Sequence, residues 1–295
     1  MRRFVFVGGL QRSGTTLLGR LLAQHPDMSG LVGTGTAEDE GQFVQNVYPD
    51  DHRMGAVRGS RGQAVAWGYH QEAHLTERDL IRYPDAGQRL VQAWEPYLES
   101  PAASVVVEKS PSNVAKTRFL EASIPGSCFV IITRHPIVQA LAVRKWGTRA
   151  MRTGLNFTGI LDHWLHVMGH FSADRPQLER VTVCSYEELV SEPKALLERL
   201  HEFIGVPRFE TDVSGIGAQS ERYSAYWNRM SRPGLPSPLE HGGAGVMSAG
   251  RRLMETTVTA VVGPSTVRRV RDSYADSIAK YGYDIERLSS VPRQW

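Results

Sequence analysis

The chain predicts an α/β fold, a P-loop-type parallel sheet flanked by helices, and three observations carry that expectation. Short β-branched and aromatic runs without polar alternation recur along the chain, as strands covered on both faces require. Helical patterns separate these runs, and such alternation builds a mostly parallel sheet. The first run leads into Gly9-Leu10-Gln11-Arg12-Ser13-Gly14-Thr15-Thr16, two glycines separated by four residues with a hydroxyl at the end, the frame of a phosphate-binding loop between a strand and a helix.

Taken in order, Phe4-Val5-Phe6-Val7 is the first strand and ends in Gly8-Gly9. Leu17, Leu18, Leu21 and Leu22 recur at helical spacing up to His25-Pro26, which gives a strand, a glycine-containing turn and an amphipathic helix. Further strands are expected at Val105-Val106-Val107, from Cys128 to Ile132 and from Val181 to Cys184, with helices around Val114 to Ala122, Ile137 to Trp146 and Phe157 to Phe171. The stretch 232–250 is rich in proline and glycine and is expected to be a mobile loop before the last helices near Ser265 to Tyr281. No internal repeat or linker interrupts the pattern, so one domain over 1–295 is expected.

Composition excludes several classes. With 41% hydrophobic and 22% charged residues, the chain buries a core rather than remaining disordered. Cys128 and Cys184 both sit in apolar runs and read as small buried hydrophobes, not a disulfide. A net charge of +3 is too mild for a general nucleic-acid binder; a small anionic ligand suffices. No run approaches the length of a membrane span, and Phe4 to Val7 is too short for a signal-peptide core, so a cytoplasmic protein is expected. Asn156-Phe157-Thr158 fits the glycosylation pattern by chance.

The loop carries the first chemistry. Its backbone N–H groups, with the positive end of the helix dipole behind them, cradle phosphate-like oxygens. Thr15 stands where an ATP-using loop places its lysine. The positive charge has moved to Arg12, inside the loop, where a planar guanidinium can grip oxygens bidentately. The run Arg12-Ser13-Gly14-Thr15-Thr16-Leu17 resembles the 5′-phosphosulfate loop of sulfotransferases that use 3′-phosphoadenosine 5′-phosphosulfate (PAPS), in their tyrosylprotein-like and many bacterial members. The resemblance extends through His25-Pro26, Glu108-Lys109-Ser110-Pro111, Ile131 to Pro136 and Tyr186-Glu187-Glu188-Leu189, and loosens toward the carboxyl end.

That resemblance implies PAPS as co-substrate, held by Arg12 to Leu17 at its 5′ end and by Arg134 at its 3′-phosphate. Arg134 also fits by position, because open parallel sheets bind ligands at the carboxyl ends of their strands and a fixed cation there suits a dianion. The serine that the family places farther along is replaced by Ala142. Either Arg144 or a residue of the late glycine-rich loop makes up the missing donor, or the 3′-phosphate is held less tightly.

Sulfuryl transfer to a hydroxyl is an in-line displacement that needs a base and positioned cations, and calls for no metal. The resemblance implies a glutamate base shortly after the first helix. In Ala37-Glu38-Asp39-Glu40-Gly41-Gln42-Phe43, Glu40 is the first choice and Glu38 the second, because Gly41 permits close backbone approach and Gln42-Phe43 leads into an apolar segment. Lys109, at the same sheet edge as Arg12 and Arg134, is assigned to the bridging oxygen and the sulfuryl group. Tyr186 resembles a family tyrosine near the nucleotide, with core packing as its alternative.

His163, His166 and His170 fall on one predicted helix; with no cysteine or acid completing a ligand set, they read as lining an acceptor pocket rather than a metal site. His70 and His74 are similar candidates, and the aromatic residues from Trp67 to Trp94 suggest a cavity wall. The acceptor is a small-molecule, glycolipid or carbohydrate hydroxyl. Two alternatives stay open: a kinase or ATPase using Mg-ATP, which would want a lysine after Gly14 and a metal-holding aspartate, and an inactive nucleotide-binding scaffold, kept open by Ala142.

Overall fold

The computed structural model describes residues 2–54, 66–146, 155–217, 220–230 and 264–293. The proline- and glycine-rich stretch 232–250 lies outside them. Five strands, β1 (Arg3–Gly8), β2 (Met28–Ser29), β3 (Val105–Lys109), β4 (Cys128–Thr133) and β5 (Val181–Ser185), form one sheet in the order β2-β3-β1-β4-β5. Every pairing is parallel, so all carboxyl ends meet at one edge.

Helices α1 (Thr15–Ala23), α2 (Asp51–Met54), α3 (Ala86–Trp94), α4 (Thr117–Ser123), α5 (Pro136–Trp146), α6 (Phe157–Asp174), α7 (Tyr186–Ser191), α8 (Pro193–Ile204), α9 (Ser220–Met230) and α10 (Pro264–Ala279) surround the sheet. The strand pleat sorts the core into two layers. On β1, Phe4 and Phe6 enter one buried cluster with Trp94, Phe129 and Trp164, and Val5 and Val7 enter the other with Leu18, Val130 and Leu197. Period-two alternation therefore exists, but both sides are apolar, and this is why the strand reads as an unbroken hydrophobic run. Phe6 stacks on Phe129 with centroids 5.6 Å apart.

All four substantial expected strands form. The helix expected around Val114 to Ala122 is a 3-10 turn, Pro111–Ala115, followed by α4, because the backbone leaves helical geometry at Lys116, φ −126° and ψ 14°. The two-residue β2, α3 and α8 had no counterpart in the sequence reading. Asn156, the apparent glycosylation site, caps α6 by accepting the Gly159 N–H at 2.7 Å. Cys128 and Cys184 are buried and unbridged, and burial pushes their thiols up to about 11 and about 12. No helix among the described residues is long and apolar enough to cross a membrane.

Candidate active site

A cavity of about 570 Å³ opens at the carboxyl edge of the sheet. One half is built by the loop after β1. Gly14 caps α1 at φ 103°, with no side chain closing the helix start, so the first-turn N–H groups, which no intrahelical carbonyl can serve, are left for a ligand. The loop also bends at Arg12, a non-glycine residue at φ 70°, a conformation that persists only where the surroundings impose it. Arg12 is exposed and lines the cavity with Thr15, Thr16 and Leu17. Ser13 is fully buried and its Oγ has no hydrogen-bond partner.

Arg134 projects from the end of β4 into the same half. It is 6% exposed, and one guanidinium nitrogen, Nη1, donates to the Arg12 carbonyl at 3.0 Å. Its Nε and Nη2 have no hydrogen-bond partner among the described residues. The guanidinium lies 4.0 Å over the ring of Tyr186, the first residue of α7. Gly14 packs beneath the same ring: a Cβ there would stand 2.8 Å from Tyr186 Cδ2. Both readings of Tyr186 thus describe one arrangement, since its packing presents Arg134 to the loop. A buried cation with two unused donors, beside an uncapped helix start, fits a polyanionic nucleotide.

The other half centres on Glu40, which is buried and lines the cavity. Lys109 donates to Glu40 Oε1 at 3.3 Å and to the Glu38 carbonyl at 2.9 Å. Gln42 donates to Glu40 Oε2 at 2.6 Å, and its orientation is dictated from its other end, where Oε1 accepts from the Asp51 N–H and from Ser112. Burial raises Glu40 to about 7 against the pull of Lys109. Glu38 instead is exposed and paired with Arg20 at 3.0 Å. Gly41 is needed for approach, as expected: a Cβ would stand 2.6 Å from Glu108 Oε1, the oxygen that accepts the Gly41 N–H at 3.0 Å.

Several contributors escaped the sequence reading. Asp51, Gln139, His52 and Gln11 line the cavity, and Gln42 orients Glu40. Gln11, inside the phosphate loop, donates to Asp51 Oδ2 at 2.8 Å and accepts from Trp67 Nε1 at 3.0 Å; its own carbonyl accepts from Gln139 at 2.8 Å. A lone amide or acid in a loop carries no periodic signal. The one available cue for Gln11 was its place in the loop.

Other expectations change. His163 lines the cavity, but its Nε2 accepts the Gly68 N–H at 3.0 Å and burial lowers it to about 3. His166, His170, His70 and His74 do not line it. His166 bonds the Gly68 carbonyl, and His74 pairs with Asp174 at 2.7 Å and stacks on His170. Helical spacing put three imidazoles near one face, yet only one turn of α6 reaches the cavity. Trp67 and Trp94 are core, not cavity wall; their indole N–H groups are satisfied inside by Gln11 and Gly41. Ala142 packs in the core of α5, and Arg144 donates to the Leu155 carbonyl at 3.2 Å and does not line the cavity.

The pattern of the sulfotransferase family matches residues 5–211. Solved structures similar to the chain include a sulfotransferase from Alicyclobacillus acidocaldarius, at 16% identity over 77% of this chain and 91% of that one, TM-score 0.46. Another is from Mycobacterium avium, at 15% identity over 97% and 78%, TM-score 0.48. A mouse sulfotransferase in complex with PAP is similar at 11% identity over 97% and 88%, TM-score 0.44. No curated protein sequence matches the chain.

Proposed function

The chain belongs to the sulfotransferase family, and from that premise we propose that it uses PAPS to sulfate a hydroxyl of a small-molecule, glycolipid or carbohydrate acceptor. The observation that carries this reading is the coincidence, in one cavity, of an uncapped α1 start, a buried Arg134 with two unused donors and a buried carboxylate, Glu40. When bound, PAPS supplies an activated sulfuryl group on a phosphate leaving group. The α1 amides, with Arg12, Ser13, Gly14, Thr15, Thr16 and Leu17, hold the 5′ end. Arg134, backed by Tyr186, takes the 3′-phosphate. Arg144, one candidate for the donor missing at Ala142, donates to the Leu155 carbonyl; a residue of 232–250 and a looser hold on the 3′-phosphate are the alternatives. The chain is read as one domain.

Glu40 takes the proton of the acceptor hydroxyl. Its burial supports that role, since a base whose pKa lies near neutrality is both ionised and able to accept. Glu38, salt-bridged to Arg20 in solvent, is the weaker candidate. Lys109 lines the neighbouring cavity and holds Glu40 in place; when Glu40 takes the proton its ion pair with Lys109 is lost, and the released ammonium is our candidate for the sulfuryl and bridging oxygens.

The test is ligand-induced stabilisation. Ligand bound only to the folded state raises the unfolding free energy by mass action, about 2.7 kcal/mol at a hundred times Kd. PAP without metal should raise Tm, and Mg-ATP should do much less. A larger shift from Mg-ATP, with none from PAP, replaces this reading by a kinase or ATPase. Incubation with PAPS and a metabolite extract, followed by mass spectrometry for products heavier by one sulfuryl group, then names the acceptor.

A further inference from the structure

The acceptor half of the cavity carries polar groups that proton removal does not use. Asp51 is 2% exposed and lines the cavity. Its Oδ2 accepts from the Gln11 amide at 2.8 Å, but its Oδ1 has no donor among the described residues. Lys116 is fully buried, and its ammonium lies over the rings of Tyr48 and Trp67 at 5.3 and 5.6 Å without a hydrogen-bond partner. The two opposite charges act on each other through the interior. Burial raises the Asp51 carboxyl while His52, Gln11, Gln42 and Lys116 pull it back down, so Asp51 brings the cavity a hydrogen-bond acceptor whose charge is partly compensated.

Two further groups complete the set. Gln139 Oε1 is buried without a donor, while its amide is tied to the Gln11 carbonyl. His163 accepts a backbone N–H at Nε2, so its neutral ring carries the proton on Nδ1 and can act as a donor. Phe43, Val143 and Ile160 supply apolar surface between these groups.

We propose that Asp51 is a specificity-determining residue that accepts a hydrogen bond from a second hydroxyl of the acceptor, and that the acceptor is accordingly a polyhydroxylated ring compound, a glycoside or cyclitol, rather than a phenol or a monohydric alcohol. This rests on the reading of the chain as a PAPS-dependent sulfotransferase. A hydroxyl is favoured over an ammonium because a further cation beside Asp51 would be repelled by the buried Lys116 and would have to be desolvated. The alternation of two acceptors, one donor and apolar surface matches a ring whose edges are hydroxyls and whose faces are C–H groups. A site built to hydrogen-bond a hydroxyl rejects an analogue lacking it by orders of magnitude, because its own polar groups are then left unpaired.

The test compares sulfuryl transfer from PAPS to octyl glucoside, octyl galactoside and myo-inositol with transfer to octanol and 4-nitrophenol, and follows PAP binding by calorimetry in parallel. The expected result is a kcat/KM for at least one polyol that exceeds both monohydric compounds by about a hundredfold or more. Among its monodeoxy analogues, one altered away from the sulfated position should lose about tenfold or more, and in Asp51→Asn that loss should shrink to about threefold or less. Monohydric compounds turned over as well as polyols, a deoxy loss undiminished in Asp51→Asn, or no turnover of any polyol by protein that binds PAP would each overturn the proposal and leave Asp51 as the counter-ion of Lys116. Failure of the wild-type chain to bind PAP would remove the sulfotransferase reading instead. The polyol comparison needs no variant, so it decides the matter even if Asp51→Asn folds poorly.

Discussion

Glu40 and Glu38 stand two residues apart and are opposites in environment, one buried against Lys109 and the other in solvent against Arg20. Replacing Glu40 by Gln removes the proton acceptor while keeping size, so kcat should fall about a hundredfold or more with PAP affinity nearly unchanged. Glu38→Gln should stay near the wild-type rate, and the reverse pattern would move the role to Glu38. With Glu40 raised to about 7, the wild-type rate should climb about tenfold per pH unit below that point and level off above it. The same shift costs stability: the folded state holds this proton more tightly than the unfolded chain, so stability falls as pH rises from about 4.5 to about 7. In Glu40→Gln this fall, up to about 3 kcal/mol between pH 4.5 and pH 7 in urea denaturation, should be absent. The two arginines separate the ends of the nucleotide. Arg12→Ala should weaken adenosine 5′-phosphosulfate and PAPS alike, whereas Arg134→Ala should remove most of the preference for the 3′-phosphorylated form, about 2 kcal/mol or more by calorimetry. Equal losses on both ligands in both variants would mean that Arg134 does not serve the 3′-phosphate.

At the scale of elements, the strand–loop–helix unit β1–α1 was legible because each part has its own local signal: an apolar run, a glycine frame and a 3.6-residue repeat. What local pattern could not supply is the partner surface. Gly14 is glycine both for its positive φ and because Tyr186, brought from the end of β5, occupies the space of a Cβ. Gly14→Ala should cost at least about 1 kcal/mol in unfolding free energy. By displacing the ring under Arg134 it should also weaken PAP binding, measured by calorimetry; unchanged PAP affinity would show that this stack does not support the nucleotide. The elements missed were those whose register depends on long-range packing. The two residues of β2 pair with β3 from Met28↔Val105, too short a run for any periodicity.

Across the whole molecule, residues near the carboxyl end pack against a strand that carries the site. Tyr283 is buried, shares a 2.7 Å hydrogen bond with Thr133 at the end of β4, and packs edge-on against His135. His135 in turn bonds the Asp284 carbonyl at 3.1 Å. The segment thus braces the strand end that presents Arg134, in a region where the family resemblance had loosened. Tyr283→Ala should lower the unfolding free energy by about 3 kcal/mol, read by urea denaturation, through lost packing and the lost hydrogen bond to Thr133. A loss below about 1 kcal/mol would show that the brace carries little of the stability.

The amino-acid order by itself determined the parallel sheet, the phosphate loop with Arg12 in place of a lysine, and Arg134 and Glu40 as the candidates to test. The first three are written in short windows, as a period, a glycine spacing or a position at a strand end, whereas Glu40 came from the family resemblance. Tertiary structure alone decided which acid is buried, which of the α6 histidines reaches the cavity, and that Gln11, Asp51 and Lys116 meet beside it. Burial and the pairing of charges come from chain segments distant in sequence, and the free energy of a carboxylate or an ammonium is set by that surrounding medium rather than by its neighbours along the chain.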